Sequence, residues 1–274
     1  MSNRQVVRDK HETIGSEGRG VLLDIAYDGT AFHGWAAQSH ARSVEEAVLG
    51  AVQAMDPRVQ IVRGASRTDA GVHAEGQLAA FDTDRDIPAR GWVLGLNQHL
   101  PEDVAVRAAR SVPPGFSPRF AARGKRYRYQ LLVDSVRDPL LRTRAWRLPE
   151  LDPELLAGET HAALGTHDFA AFRSAGDSRP STVRTLTRVD VLRHPSTRKI
   201  SIVIEGNAFL YNMVRILVGT MVDVARTRLA PGAIARALES RDRREAGTTA
   251  PAHGLVLEHV DVDLPLAAGD RWPL

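Results

Sequence analysis

Between Val21 and Val112 short apolar runs alternate with helical stretches in the order strand, helix, strand, strand, helix, strand. That order limits the possible folds more than any other feature of the sequence. Val21 to Tyr27 is an apolar run around Asp24, closed by Asp28-Gly29, and predicts a strand ending in a turn. Ser43 precedes Glu46 by three residues, ahead of Ala47, Val48, Val52 and Met55, so a capping box opens an amphipathic helix. Val59 to Ala65 and Gly76 to Thr83 read as the next two strands. Trp92, Val93, Leu96 and Leu100 recur at helical spacing and stop at Pro101, and Val104 to Val112 reads as the fourth strand. Helices on one face of an antiparallel sheet, the ferredoxin-like form of an α+β domain, satisfy this order.

The second half repeats the kind of elements without repeating the sequence. Strands are predicted at Arg126 to Val133, Val183 to Arg193, Lys199 to Glu205 and Gly254 to Val262. Helices are predicted at Asp152 to Leu164, Ala208 to Arg228 and Pro231 to Ser240, with Ser174 to Ser181 as a polar loop. Two α+β subdomains follow, 21–114 and 115–265, between an N-terminal tail at 1–20 and a C-terminal tail at 266–274.

Composition removes several classes. The absence of Cys excludes disulfides, Cys-ligated zinc, iron–sulfur clusters and a thiol nucleophile. Ala208 to Ala225, the richest apolar stretch, is interrupted by Arg215 and Asp223, so no membrane span is expected, and the first twenty residues lack a signal-peptide core. A cytoplasmic protein is expected. Neither His-Glu-x-x-His nor G-x-x-x-x-G-K occurs, so no metal or cofactor is expected either. The net charge of +3 conceals an uneven distribution. Val104 to Val133 contains Arg107, Arg110, Arg119, Arg123, Lys125, Arg126 and Arg128 and no acid, which predicts an anion-binding surface.

Arg67-Thr68-Asp69-Ala70-Gly71-Val72-His73 lies between two predicted strands. A turn needs only the Asp and the Gly; the Arg, the hydroxyl and the His exceed that need. This stretch, with Gly76-Gln77 after it, resembles the catalytic motif of the TruA family of tRNA pseudouridine synthases. So do five further stretches in order. These are Tyr27-Asp28-Gly29-Thr30 with Phe32, Gly34, Trp35 and Gln38; Leu96-Asn97 with Leu100-Pro101; Arg119-Phe120 with Lys125-Arg126-Tyr127-Arg128-Tyr129; His167-Asp168-Phe169 with Phe172-Arg173; and Phe209-Leu210-Tyr211 with Met213-Val214-Arg215 and Gly219. Ala36, Ser66 and Asn212 depart from the residues common in the family.

The resemblance implies the pseudouridine synthase fold, with two ferredoxin-like subdomains whose antiparallel sheets form a central cleft. It implies a homodimeric enzyme that converts uridine to pseudouridine at positions 38, 39 and 40 of tRNA, without a cofactor. Asp69 is the implied catalytic carboxylate, acting as a nucleophile or as a base. Arg215 interrupts an apolar stripe, where an unpaired charge is costly, so it is expected to pair with Asp69. Alternation alone does not rank Tyr127 against Tyr129 as the aromatic beside the uracil; the family motif favours Tyr127. Arg67, Thr68, His73, Gln77, Lys125, Arg126 and Arg128 are the expected substrate contacts. An RNA-binding module without catalysis and a nucleoside hydrolase are the competing classes. The first has no use for Asp69 and Arg215 together, and the second usually needs two carboxylates.

Overall fold

A computed structural model describes residues 18–264. The expected tails lie outside the described residues, except for residues 18–20 at one end. The first half contains β1 (Arg19–Tyr27), α1 (Val44–Met55), β2 (Arg63–Gly64), β3 (His73–Thr83), α2 (Ala89–His99) and β4 (Val104–Val112). The Ser43 hydroxyl accepts the backbone N–H of Glu46 at 3.3 Å and donates to the Glu46 carboxylate at 2.6 Å, so α1 starts where the capping pair predicts. Trp92 of α2 packs edge-on against Phe81 of β3, with ring centroids 5.1 Å apart.

The second half contains α3 (Pro118–Ala121), β5 (Ala122–Val133), β6 (Trp146–Leu148), α4 (Pro153–Gly158), α5 (Thr160–Ala163), β7 (Gly165–Asp168), β8 (Val183–His194) and β9 (Lys199–Gly206). It ends with α6 (Met213–Ala225), α7 (Ala233–Ser240) and β10 (Leu255–Val262). The short elements α3, β6 and β7 carry no periodicity that a sequence reading can use.

One sheet runs through both halves in the order β4-β1-β3-β10-β5-β9-β8-β7, with β2 beside β3 and β6 beside β5. Strand β3 shares one edge between two partners. Ala79 and Ala80 pair with β2, while His73 and Ala74 pair in parallel with Val256 and Leu257 of β10. Strand β10 then pairs antiparallel with β5, so the last strand among the described residues is the seam between the halves.

Two predicted helices differ in extent. The helix expected from Asp152 to Leu164 breaks into α4 and α5 at Glu159. The buried Glu159 carboxylate accepts the backbone N–H groups of Gly232 at 2.5 Å and Ile234 at 2.9 Å, capping the start of α7. The helix expected from Ala208 begins only at Met213, because Asn212 takes the left-handed conformation at φ 60°. Within α6 every residue except Arg215 is buried. Gly219 is required there: a Cβ would lie 1.8 Å from the Thr248 carbonyl oxygen. The helix thus lies directly on the 248–250 segment. Among the described residues no helix is long and apolar enough to cross a membrane.

Candidate active site

The loop between β2 and β3 is tied down on all sides. Gly71 N–H donates to the Phe32 carbonyl at 3.1 Å, and Trp35 N–H donates to the Thr68 carbonyl at 3.1 Å. Gly34 permits that approach, since it has φ +98° and a Cβ would lie 2.4 Å from the Thr68 oxygen. The turn itself closes through backbone, with Val72 N–H donating to the Asp69 carbonyl at 3.1 Å. The Asp69 carboxylate therefore has no part in closing the turn.

That carboxylate faces Arg215, with Oδ2 3.7 Å from Nη1 and the two side chains 21% and 18% exposed. The pairing expected across 146 residues of sequence is present as a close ion pair, longer than a hydrogen bond. Arg215 is oriented by other groups: Nε donates to the Ala250 carbonyl at 2.8 Å and Nη1 to Asn212 Oδ1 at 2.7 Å. Burial pushes the Asp69 carboxyl above the ordinary range, and the charges of Arg215 and Arg179 act against that rise. A desolvated carboxylate with a fixed cation beside it is the kind of perturbed group that marks a candidate site.

Tyr127 is tied to the same loop through Ser66. Its phenol lies 3.1 Å from the Ser66 hydroxyl and its ring packs edge-on against Phe209 at 5.1 Å. Burial pushes the phenol up to about 12, with Ser66 acting downward and Asp69 upward. Tyr129 shares the strand face, but its hydroxyl donates to the Pro251 carbonyl at 2.7 Å and its ring is fully buried against Trp146. Tertiary contacts thus separate two tyrosines that strand alternation leaves equal.

The other expected contacts divide into supports and exposed groups. Gln77 is fully buried and bonds both the N–H and the carbonyl of Ser66, at 3.2 and 2.6 Å. The Thr68 hydroxyl is 2.7 Å from that of Tyr27. The buried His73 accepts Gly29 N–H at Nδ1, 3.0 Å away, and Nε2 lies 2.8 Å from the Thr143 carbonyl. Only an N–H can face that carbonyl, so a neutral ring with its proton on Nε2 fits, and burial lowers the His73 pKa accordingly. These three side chains spend their polar atoms within the protein: Gln77 on Ser66 of the loop, Thr68 on Tyr27, and His73 on Gly29 and Thr143. Arg67 is exposed and makes no hydrogen bond or ion pair within the described residues.

The basic run does not form one surface. Lys125, Tyr127 and Tyr129 lie on one face of β5, and alternation sends Arg126 and Arg128 to the other. There Arg126 pairs with Glu205 at 2.9 Å, and Arg128 pairs with Glu258 at 2.5 Å and Glu75 at 2.8 Å. Arg107 donates to the Glu75 carbonyl at 2.6 Å and Arg123 pairs with Asp263. A sequence count of charge cannot register these partners, because they come from other strands.

Two residues that shape the site escaped the sequence reading. Asn212 figures there only as a departure from a family pattern, yet its amide holds Arg215. Its own NH2 donates to the Ser174 hydroxyl at 2.8 Å. Arg179 lies in a polar loop without periodicity; it bonds the Phe209 carbonyl and its charge reaches Asp69, Tyr127 and Lys125. Asn212→Gly keeps the left-handed backbone and removes the amide. It is expected to lower single-turnover rate about tenfold at near-normal thermal stability, the scale of one hydrogen bond to a charged group. An unchanged rate shows that Ala250 alone orients Arg215. Among the described residues no cluster of three or more His, Asp or Glu is arranged to hold a metal ion.

Comparison with known proteins places this geometry in context. The family model described as "tRNA pseudouridine synthase" matches residues 25–121 and 161–263. The chain is 42% identical over 244 residues to the tRNA pseudouridine synthase A of Geobacter sp. (strain M21), covering 88% of this chain and 98% of that protein. It is 42% identical over 243 residues to the protein of the same name from Acetivibrio thermocellus, covering 88% and 99%. It is 41% identical over 239 residues to that of Myxococcus xanthus, covering 87% and 90%.

Proposed function

The chain belongs to the tRNA pseudouridine synthase family, and from that premise we propose that it isomerises uridine to pseudouridine at positions 38, 39 and 40 of tRNA. The observation that carries this reading is Asp69, desolvated and faced by an Arg215 that other groups hold in place. In the reaction the bond from the ribose to uracil N1 breaks and one to uracil C5 forms. The C5 proton leaves and N1 gains one, so the product is an isomer and no cofactor is consumed. Asp69 reacts as nucleophile or base, and Arg215 keeps it ionised. Tyr127 offers its ring and phenol beside the uracil, and Lys125 offers charge on the same face. Arg67, exposed on the catalytic loop, contacts the RNA where the uridine leaves its stack, a step that costs a few kcal/mol. Thr68, His73 and Gln77 hold the loop in shape. The active form is a cytoplasmic homodimer in which one tRNA meets both subunits.

The test is pseudouridine mapping of unmodified tRNA incubated with the wild-type protein and with Asp69→Ala. Pseudouridine at positions 38 to 40 with wild type, and none with the variant, is expected. Unmodified anticodon arms with the wild-type protein overturn the proposal. Release of free uracil points instead to a hydrolase.

A further inference from the structure

At 3.7 Å the contact between Asp69 and Arg215 is too long for a hydrogen bond to set its spacing. The attraction weakens as the separation grows, so whatever holds the two members also holds the charge balance of the carboxylate. One segment, Ala250 to His253, reaches both. At its start it is bonded twice to Arg215: Ala250 N–H donates to the Arg215 carbonyl at 3.0 Å, and Arg215 Nε donates to the Ala250 carbonyl at 2.8 Å. In its middle the Pro251 carbonyl accepts the Tyr129 hydroxyl at 2.7 Å. At its end it meets the Asp69 loop. The Ala252 methyl lies 3.3 Å from where a Cβ on Gly71 would stand, and the His253 carbonyl lies 3.3 Å from His73 Nε2.

His73 is the side chain on the loop that takes up this contact. It follows Asp69 by four residues, across the turn that Val72 N–H closes on the Asp69 carbonyl. Its two ring nitrogens serve different halves of the chain. Nδ1 accepts Gly29 N–H from the first half at 3.0 Å. Nε2 faces two carbonyls of the second half, Thr143 at 2.8 Å and His253 at 3.3 Å. The charged groups beside the ring are Asp28, with Oδ1 3.1 Å from Nδ1, and Arg144, which pairs with Asp28 at 2.9 Å. Asp28 Oδ1 already accepts the N–H and the hydroxyl of Thr30. A ring only 3% exposed with both nitrogens engaged has little room to tilt, so it holds the loop against the 250–253 segment.

We infer that the segment from Ala250 to His253 is a strap that sets the spacing of Asp69 and Arg215, and that His73 is the positioning residue whose Nε2 fastens the Asp69 loop to it. This role presupposes that the chain acts on tRNA uridine. His73 then affects the reaction through Asp69 and touches no reacting atom.

Two substitutions divide the duties of the ring. Asparagine can place an acceptor where Nδ1 stands, and glutamine a donor where Nε2 stands. His73→Asn therefore keeps the Gly29 bond and releases the strap, and His73→Gln does the reverse. His73→Asn is expected to lower the single-turnover rate on unmodified tRNA about a hundredfold, the scale of a misplacement of roughly 1 Å, with tRNA affinity retained. The acid limb of its rate–pH profile should move to higher pH, because a more distant Arg215 leaves the Asp69 carboxyl harder to ionise. His73→Gln should recover most of the rate and the wild-type limb. Tyr129→Phe loosens the strap at Pro251 without touching the loop. It should show the His73→Asn pattern at about tenfold, the scale of one hydrogen bond, so the test stands even if His73→Asn fails to fold. The strap is overturned if His73→Gln is as slow as His73→Asn, or if His73→Asn or Tyr129→Phe turns over like wild type. It is also overturned if the acid limb of the slow variants stays in place or moves to lower pH. Pseudouridine mapping of the same tRNA with wild type runs alongside. If wild type forms no pseudouridine, the proposed function fails and the positioning role with it; if it does and the variants break the pattern, only the strap fails.

Discussion

Asp69→Asn is expected to lose turnover by about 10⁴-fold or more, the scale seen when a reacting side chain is removed, while the folded protein becomes more stable at neutral pH. The two effects share one cause. Burial raises the Asp69 pKa in the folded protein despite Arg215 and Arg179, so ionising this carboxyl is harder in the folded chain than in the unfolded one. The destabilisation is absent below the unfolded pKa, grows as pH rises through the folded pKa, and is complete above it. Denaturant unfolding of wild type and Asp69→Asn should therefore coincide at acidic pH and separate toward neutral pH, with Asn the more stable. A variant less stable than wild type at neutral pH contradicts net desolvation at this site. Asparagine keeps the shape of the side chain, so tRNA affinity should remain near that of wild type.

Arg215→Leu is expected to lower the single-turnover rate by about 10³-fold, comparable to losing a principal electrostatic group in an active site, with tRNA affinity nearly retained. Leucine suits the apolar surroundings, because the rest of α6 is buried. What disappears is the charge 3.7 Å from Asp69. Without it the Asp69 pKa rises further, and the acid limb of the rate–pH profile should move to higher pH. Raising the pH should then recover part of the lost rate. An acid limb that stays in place means Arg215 does not act through Asp69. Arg215→Lys should recover only part of the function. One ammonium cannot reproduce a planar fork that bonds Ala250 and Asn212 while facing the carboxylate.

Much of the chemistry was legible in order and spacing alone. The alternation from Val21 to Val112 specified α1, α2, β1, β3 and β4, because burying one face of each element demands that periodicity, while the strand expected from Val59 to Ala65 shrinks to Arg63–Gly64. The excess of functional groups between Arg67 and His73 marked the candidate site loop, and an arginine inside the apolar stripe of α6 implied a partner, which Asp69 supplies. What periodicity cannot carry is pairing between distant segments. The seam that β10 makes between β3 and β5 depends on ladder hydrogen bonds that no local pattern encodes.

The sequence by itself determined most of the longer elements, the loop that carries Asp69 and the need of Arg215 for an acid. Only the tertiary structure decided which polar groups are free to act. It committed Tyr129 to Pro251, Gln77 to Ser66 and Arg126 and Arg128 to carboxylates on the far face. It left Tyr127 on Ser66 of the loop with Phe209 against its ring, and Lys125 half-buried without a hydrogen bond or ion pair within the described residues. The reason is physical: a side chain's chemistry belongs to the residue, but its partners and its access to water are set by segments far away in the chain.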